Sequence, residues 1–303
     1  MSDTPIHFIG FLVNVDNSIL KLNLGNNFVI EKLPQEKVKR LLDAINKFRS
    51  YHDANAIRIL PEYYCVTKQQ VTKFQETEQG GVVIKVAESE KIKHEIRNKI
   101  RLLRLFKEGN IFLQSLCLYH IKGTIPKVIS SIDEWPIIDK TIFKLADNEV
   151  SQVELFVNEI KIPFPQKFLQ LAFDSFEWSY GTDNLGLAFL SLMISLESML
   201  NIDKYELRYR TSRNAAILLG ENQEKAEQIF KEIRNLYDKR SALVHTGDPR
   251  AINLPEVLML RDYVRKAIKE INNTGYNSKD GLISKLNSCG FGCRPWTKNN
   301  ING

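Results

Sequence analysis

The sequence predicts an α+β protein, an N-terminal mixed α/β domain followed by an all-α antiparallel helical bundle. Three observations lead there. Short apolar runs of strand type alternate with two helical patterns up to residue 125, a stretch rich in Pro, Gly and Asp follows, and from Gln166 onward every apolar pattern has helical spacing. A length of 303 residues allows a core in each half, and 43% hydrophobic with 26% charged residues excludes a disordered or fibrous chain. The expected boundaries are 1–125 for the α+β domain, 126–164 for a connecting region, 165–272 for the bundle and 273–303 for a flexible tail.

In the first half, Ile6–Val13 and Ile19–Leu24 read as strands around the polar turn Asn14–Ser18, with Phe28–Ile30 after the Asn26-Asn27 turn. Pro34 sits where a first helical turn tolerates it, and Val38, Leu41, Leu42, Ile45 and Phe48 recur at helical spacing. Further strands are expected at Ala56–Leu60, at Gly81–Ala87 after the Gly80-Gly81 turn, and at Ile111–Ile121. Between the last two lies a basic helix, Ser89–Lys107. In the connecting region Pro126, Pro136, Pro163 and Pro165 interrupt any long element, with one short helix near 148–160.

In the second half, Phe168, Leu169, Leu171, Ala172, Phe176 and Trp178 form a helix closed near Gly181. Asp183-Asn184 cap the next helix, to about Asn201, and Asp203 caps a third that ends at Gly220. A fourth starts at Asn222, with Ala226, Ile229, Phe230, Ile233, Leu236 and Tyr237 on a buried stripe, and ends by Gly247 and Pro249. A fifth covers Pro255–Ile271. The short loops imply antiparallel neighbours.

Four cysteines, Cys65, Cys117, Cys289 and Cys293, are too few and scattered for a disulfide framework and suit a reducing cytoplasm. No basic-then-apolar leader opens the chain, and the greasiest run, Leu185–Leu200, falls short of a membrane span, so no membrane association is expected. The formal charge of +6 leans toward polyanionic partners. Cys289-x3-Cys293 and Cys117-x2-His120 lack a second ligand pair, so neither metal nor cofactor is expected. His7, His52 and His94 have no chemical company in the sequence.

The chemistry concentrates at Leu236-Tyr237-Asp238-Lys239-Arg240-Ser241-Ala242-Leu243-Val244-His245. A guanidinium, a hydroxyl and an imidazole within one and a half turns supply an anion clamp, an orienting group and a proton carrier. Asp238, Ser241 and His245 share one helix face, and Ser241 is one turn before His245. Arg240 points about 140° away from His245 around the axis. That angle favours a composite site in which a second copy faces the first across a two-fold axis. A structural reading of the same residues has Arg240 bonding a helix C-terminus and His245 neutralising the dipole of its own helix.

These residues resemble the HEPN superfamily, whose signature is R-x(4–6)-H, and within it the Apea-like branch. Leu196-Glu197-Ser198-Met199-Leu200 is similar to the "LE-x-LF" helix of that branch. Tyr209-Arg210-Thr211-Ser212-Arg213-Asn214-Ala215-Ala216-Ile217-Leu218-Leu219-Gly220 is similar to "YR-x-S-x-RAA-x-LLG", and Leu236–His245 is similar to "LYD-x-RS…VH". The likeness covers roughly residues 166–272. Met199-Leu200 departs from the usual Leu-Phe, and Thr246 separates His245 from the following glycine.

The resemblance implies a metal-independent endoribonuclease, typically dimeric, used in host defence or toxin systems. It implies that Arg240 and His245 are the catalytic pair, with Ser241 at the variable polar position. RNA carries its own nucleophile in the 2′-OH, so the expected products are a 2′,3′-cyclic phosphate and a 5′-hydroxyl. Asp238 is expected to hold His245 cationic, Tyr237 to reach the site with its hydroxyl, and Glu197 to pair with an arginine of the third helix, Arg213 by preference. Arg208 and Arg210, together with Lys91, Lys93, Arg97 and Arg101 of the basic helix, are candidate RNA contacts. A solvated basic face is the competing account of that helix. The N-terminal domain carries no chemical motif and is expected to recognise an RNA, a phage component or a regulatory or antitoxin partner. The rival class is a non-catalytic dimerisation or RNA-binding bundle that serves the N-terminal domain.

Overall fold

A computed structural model of the chain describes residues 2–51, 60–76, 82–83, 86–133, 141–202, 205–247 and 252–293. The chain divides into two compact units, Met1–Pro136 with Lys140–Ile160, and Lys161–Gly303 together with Ile137–Asp139. The class is α+β.

The first unit is built on an antiparallel sheet with strand order β2-β3-β1-β5-β6. Its centre is β1 (Ser2–Val13), paired with β3 (Glu62–Glu76) on one side and β5 (Phe112–Lys122) on the other. The outer strands are β2 (Val29–Pro34) and β6 (Ile125–Asp133), and the short β4 (Val82–Val83) pairs the far end of β3. Strand alternation sorts side chains onto two faces. On one, Ile9, Phe11, Tyr63, Cys65 and Cys117 pack with Val38, Leu41, Leu42 and Ile45 of α1 (Gln35–Ser50). On the other, Lys68 lies over Phe28 and reaches Glu95 of α2 (Val86–Phe106). Gly10 lets the strands close up: a Cβ there would stand 2.6 Å from Leu113 Cδ2. The helix α3 (Val150–Glu159) packs on α2, with Phe106 and Phe156 edge to face.

Several sequence expectations change here. Residues Asn17–Lys21 form a 3-10 turn rather than the start of a strand, because the Asp16 carboxylate accepts from the Ser18 N–H at 2.9 Å and closes a local turn. Residues Val86-Ala87 open α2 instead of ending a strand. β6, in the region expected to be a connector, is an edge strand, where Pro126 costs no ladder bond in the sheet interior. With β6 and α3 the first unit runs to Ile160, not 125. The expected strand Ala56–Leu60 falls almost wholly outside the described residues, as do the caps Asp203 and Pro249.

The second unit is helical: α4 (Lys167–Trp178), α5 (Leu185–Leu200), α6 (Leu207–Leu219), α7 (Gln223–Thr246), α8 (Leu254–Thr274) and α9 (Lys279–Asn287). Asn184, Asn222 and Asn253 cap α5, α7 and α8 by accepting the third backbone N–H of each helix. The core is Phe173 and Phe176 of α4, Phe189, Leu192, Leu196 and Met199 of α5, and Val264 and Ile268 of α8. The turn between α6 and α7 needs Gly220, since a Cβ there would lie 2.6 Å from the backbone of Ala226. Arg261 is buried on α8, where it donates to Ser179 Oγ (3.2 Å) and Ser179 O (3.0 Å) and stacks 4.0 Å over Tyr180, tying α8 to the end of α4.

The expected tail also changes. Residues Lys279–Asn287 are a helix whose Leu282, Ile283 and Leu286 are buried. Among the described residues no helix is long and apolar enough to cross a membrane.

Candidate active site

The helix α7 carries the whole decapeptide and ends at Gly247, whose φ of +66° is the left-handed closure that glycine adopts without strain. Leu236, Tyr237 and Leu243 point inward. Arg240, three residues from both Tyr237 and Leu243, lies at the edge of that inward face. Its Nε stands 4.0 Å from Glu197 Oε1 on α5, and its guanidinium carbon is 5.7 Å from the centre of the Tyr237 ring. The Arg240 side chain is 33% exposed, so a contact this long contributes about 0–1 kcal/mol.

Two buried polar atoms beside Arg240, Glu197 Oε1 and Tyr237 Oη, have no hydrogen-bond partner among the described residues. Burial, reinforced by the Glu197 carboxylate, pushes the Tyr237 phenol up to about 12. Tyr237 therefore stays protonated and can only act as a hydrogen-bonding group near neutral pH. Arg240, Glu197 and Tyr237 form one half-buried cluster between α5 and α7. Glu197 does not pair with Arg213, which was the sequence expectation. Arg213 instead donates to the carbonyls of Leu286 (3.3 Å) and Cys289 (2.7 Å), and so caps the C-terminal end of α9. No sequence signal pointed to this, because α9 itself was hidden.

His245 lies in the last turn of α7, is exposed, and has no hydrogen-bond or ion-pair partner among the described residues. Ser241 is half-buried and forms no hydrogen bond to His245. Asp238 does not hold the imidazole: its carboxylate bonds the Arg208 guanidinium of α6. The seven-residue spacing also sets Asp238 roughly 10 Å along the axis from His245. Arg210 faces Glu206 at 3.8 Å. The structure therefore collects Arg240, Glu197 and Tyr237 in one cluster and Asp238 with Arg208 in a second, and leaves His245 open to solvent.

The basic helix α2 is not a uniformly solvated face. Lys93 is buried and bonds Glu90 at 2.7 Å. Lys99 donates to Val157 O and Asn158 Oδ1, both at 2.8 Å, and Lys107 pairs with Glu149 at 2.6 Å. Arg97 and Arg101 are half-buried and engaged, which leaves Lys91 exposed. A phosphate contact at Lys99 would have to break bonds that hold α2 to α3, whereas one at Lys91 would not.

The helical unit also exposes apolar side chains at seven-residue spacing, Leu187 and Ile194 on α5 and Leu171 and Trp178 on α4, with Val244 exposed on α7. The α5 positions continue toward the end of α7, because Gly186 sits against Leu243. Comparison with family models, with curated proteins and with solved structures yields no match to this chain.

Proposed function

We propose that the helical unit is a HEPN-type endoribonuclease that works as a homodimer, with Arg240 and His245 as its catalytic pair. The observation that carries this reading is the state of His245: a histidine five residues past a half-buried arginine, exposed and without a partner among the described residues. An exposed imidazole that no side chain holds is available to exchange a proton with a bound phosphodiester.

In the proposed reaction the 2′-OH of RNA attacks the adjacent phosphate. An imidazole takes its proton, the 5′-oxygen leaves as a hydroxyl after protonation, and a 2′,3′-cyclic phosphate remains. Proton transfer by histidine contributes about 10²–10⁴-fold, and a guanidinium answers the growing charge on the phosphate with two parallel N–H donors. Glu197 and Tyr237 position Arg240 without neutralising it fully. Ser241 lies beside the pair as an orienting hydroxyl for the imidazole or the substrate. The Arg208–Asp238 pair borders the site, so Arg208 is the nearest further cation for RNA backbone, with Arg210 beyond it. A second copy docked on Leu187, Ile194 and Val244 would supply the partner imidazole that the helix rotation withholds from Arg240. A regulatory partner acting through the first unit belongs to the same reading, as does a role in host defence.

A second reading has an observation of its own. Arg240 is already engaged by Glu197 and Tyr237, which suits a bundle whose role is association or RNA binding without cleavage. Incubating wild type, Arg240→Ala and His245→Ala with RNA separates the two. The enzyme loses cleavage in both variants with melting unchanged, and the scaffold cuts in none of the three.

A further inference from the structure

In the first unit the sheet face that carries α1 is left open near the start of that helix, and a cavity of about 390 Å³ forms there. A space of this size accepts a single small ligand. Its floor is an aromatic pair: His7 on β1 and Tyr119 on β5 are register partners, and their rings stack 5.1 Å apart at 20°. Neither side chain has a hydrogen-bond partner among the described residues. Burial lowers the pKa of His7, so its ring is neutral at pH 7 with one donor and one acceptor to offer.

The walls differ in charge. Toward β2 stands Glu31, whose Oε1 accepts from Thr67 Oγ1 at 2.9 Å. Its Oε2 has no partner among the described residues, and the carboxylate is near enough to Tyr119 to help raise that phenol. Toward α1 stand Lys37 and Arg40, both exposed and without an ion pair among the described residues. By contrast, Lys32, Lys93 and Lys107 of the same unit are each matched by a carboxylate, and Lys99 is held by a carbonyl and an amide oxygen.

We propose that this cavity binds one purine nucleotide, with its base stacked against the His7–Tyr119 pair, its Watson–Crick edge on Glu31 and its phosphate on Lys37 and Arg40. An aromatic floor, one carboxylate and two unmatched cations complement the three parts of such a ligand, a planar base, its N–H donors and an anion. Guanine is preferred over adenine, because its N1–H and N2–H₂ present two parallel donors that match a carboxylate. Nothing along the chain announces this pairing. His7 stands alone in the chain, and only strand register brings it beside Tyr119.

Isothermal titration of the full chain with GMP, AMP, UMP and inorganic phosphate tests the proposal directly and independently of any ribonuclease activity. GMP binds most tightly, then AMP, with UMP and phosphate weakest. Replacing both exposed cations, Lys37→Ala with Arg40→Ala, weakens GMP at least about tenfold at an unchanged melting temperature. Glu31→Gln sets a donor against a donor and brings the GMP-to-AMP ratio close to one. Failure of every nucleotide to bind overturns the proposal. So does phosphate binding as tightly as GMP, GMP binding equally well to the double variant, or a guanine preference that survives Glu31→Gln.

Discussion

Arg240 on α7 approaches Glu197 on α5 at 4.0 Å, Nε to Oε1, with the Tyr237 ring 5.7 Å from the guanidinium carbon. The pair links the residue with the strongest claim to bind phosphate to the only carboxylate set against it among the described ion pairs. A long, one-third-exposed contact holds the guanidinium in place at small energetic cost, so an arriving phosphate can displace it. Arg240→Ala is therefore expected to lower RNA cleavage by about 10²-fold or more while changing stability by less than about 1 kcal/mol. Glu197→Gln keeps a side chain of the same shape and is expected to keep cleavage within about tenfold of wild type. Single-turnover rates together with thermal melts of both variants check this. A variant that loses cleavage only because it unfolds would show it in the melt.

The Arg208–Asp238 pair makes a different prediction. If Asp238 stabilised a cationic His245, Asp238→Asn would move the limb of the pH–rate profile that reports the imidazole. Since the carboxylate is bonded to Arg208 instead, the profile is expected to keep its midpoint in Asp238→Asn. Arg208→Ala should raise KM several-fold at an unaltered midpoint, as expected for loss of a phosphate contact. A shifted midpoint in Asp238→Asn would restore the aspartate to the imidazole.

The helices of the second unit were legible because Phe176, Leu196, Ile233 and Ile268 recur with their neighbours at helical spacing, and α5 and α7 begin after the Asn184 and Asn222 caps. What escaped had weaker local patterns. β3 carries a run of Lys, Gln and Thr that reads as polar, and it becomes a strand because β1 pairs with it from Tyr64 to Phe74, with β2 pairing only its first residues. α9 hid among Asn, Ser, Lys and Gly, and is held by Leu282, Ile283 and Leu286 together with the Arg213 cap. At the site, the sequence located Arg240, Ser241 and His245 on one helix end but misassigned the partners of Glu197 and Asp238. Those partners depend on how α5 and α6 are rotated against α7, which periodicity along one helix does not carry.

Lys269 on α8 offers a stability test. Burial, together with the neighbouring Arg265 cation, lowers its pKa from 10.5 to about 8. Folding therefore disfavours the protonated form. Stability is fullest above pH 10.5, declines as pH falls through the interval down to about 8, and stays at the reduced level below it. At pH 7 the lysine costs on the order of 3 kcal/mol, so Lys269→Met is expected to raise the denaturation midpoint there. The advantage should shrink when urea unfolding is repeated near pH 10. A destabilised methionine variant at pH 7 would show that the contacts of the charged lysine outweigh its burial.

The composite arrangement is open to complementation between two inactive chains. Arg240→Ala retains its imidazole and His245→Ala retains its guanidinium. When each site draws arginine from one copy and histidine from the other, a mixed dimer contains one intact site. Equal mixing with free exchange then restores about a quarter of wild-type activity, half the dimers being mixed and each having one of its two sites intact. When both groups come from one chain, a mixed dimer has no complete site and mixing restores nothing. The exposed α5 face supplies the control: Leu187→Glu with Ile194→Glu places two charges where a second copy would bury apolar side chains, and should yield monomers by light scattering. A variant that stays dimeric and still complements would mean that the copies meet elsewhere. No complementation between dimers shown to exchange would return both catalytic groups to a single chain, which would require Arg240 to leave Glu197 and turn toward His245.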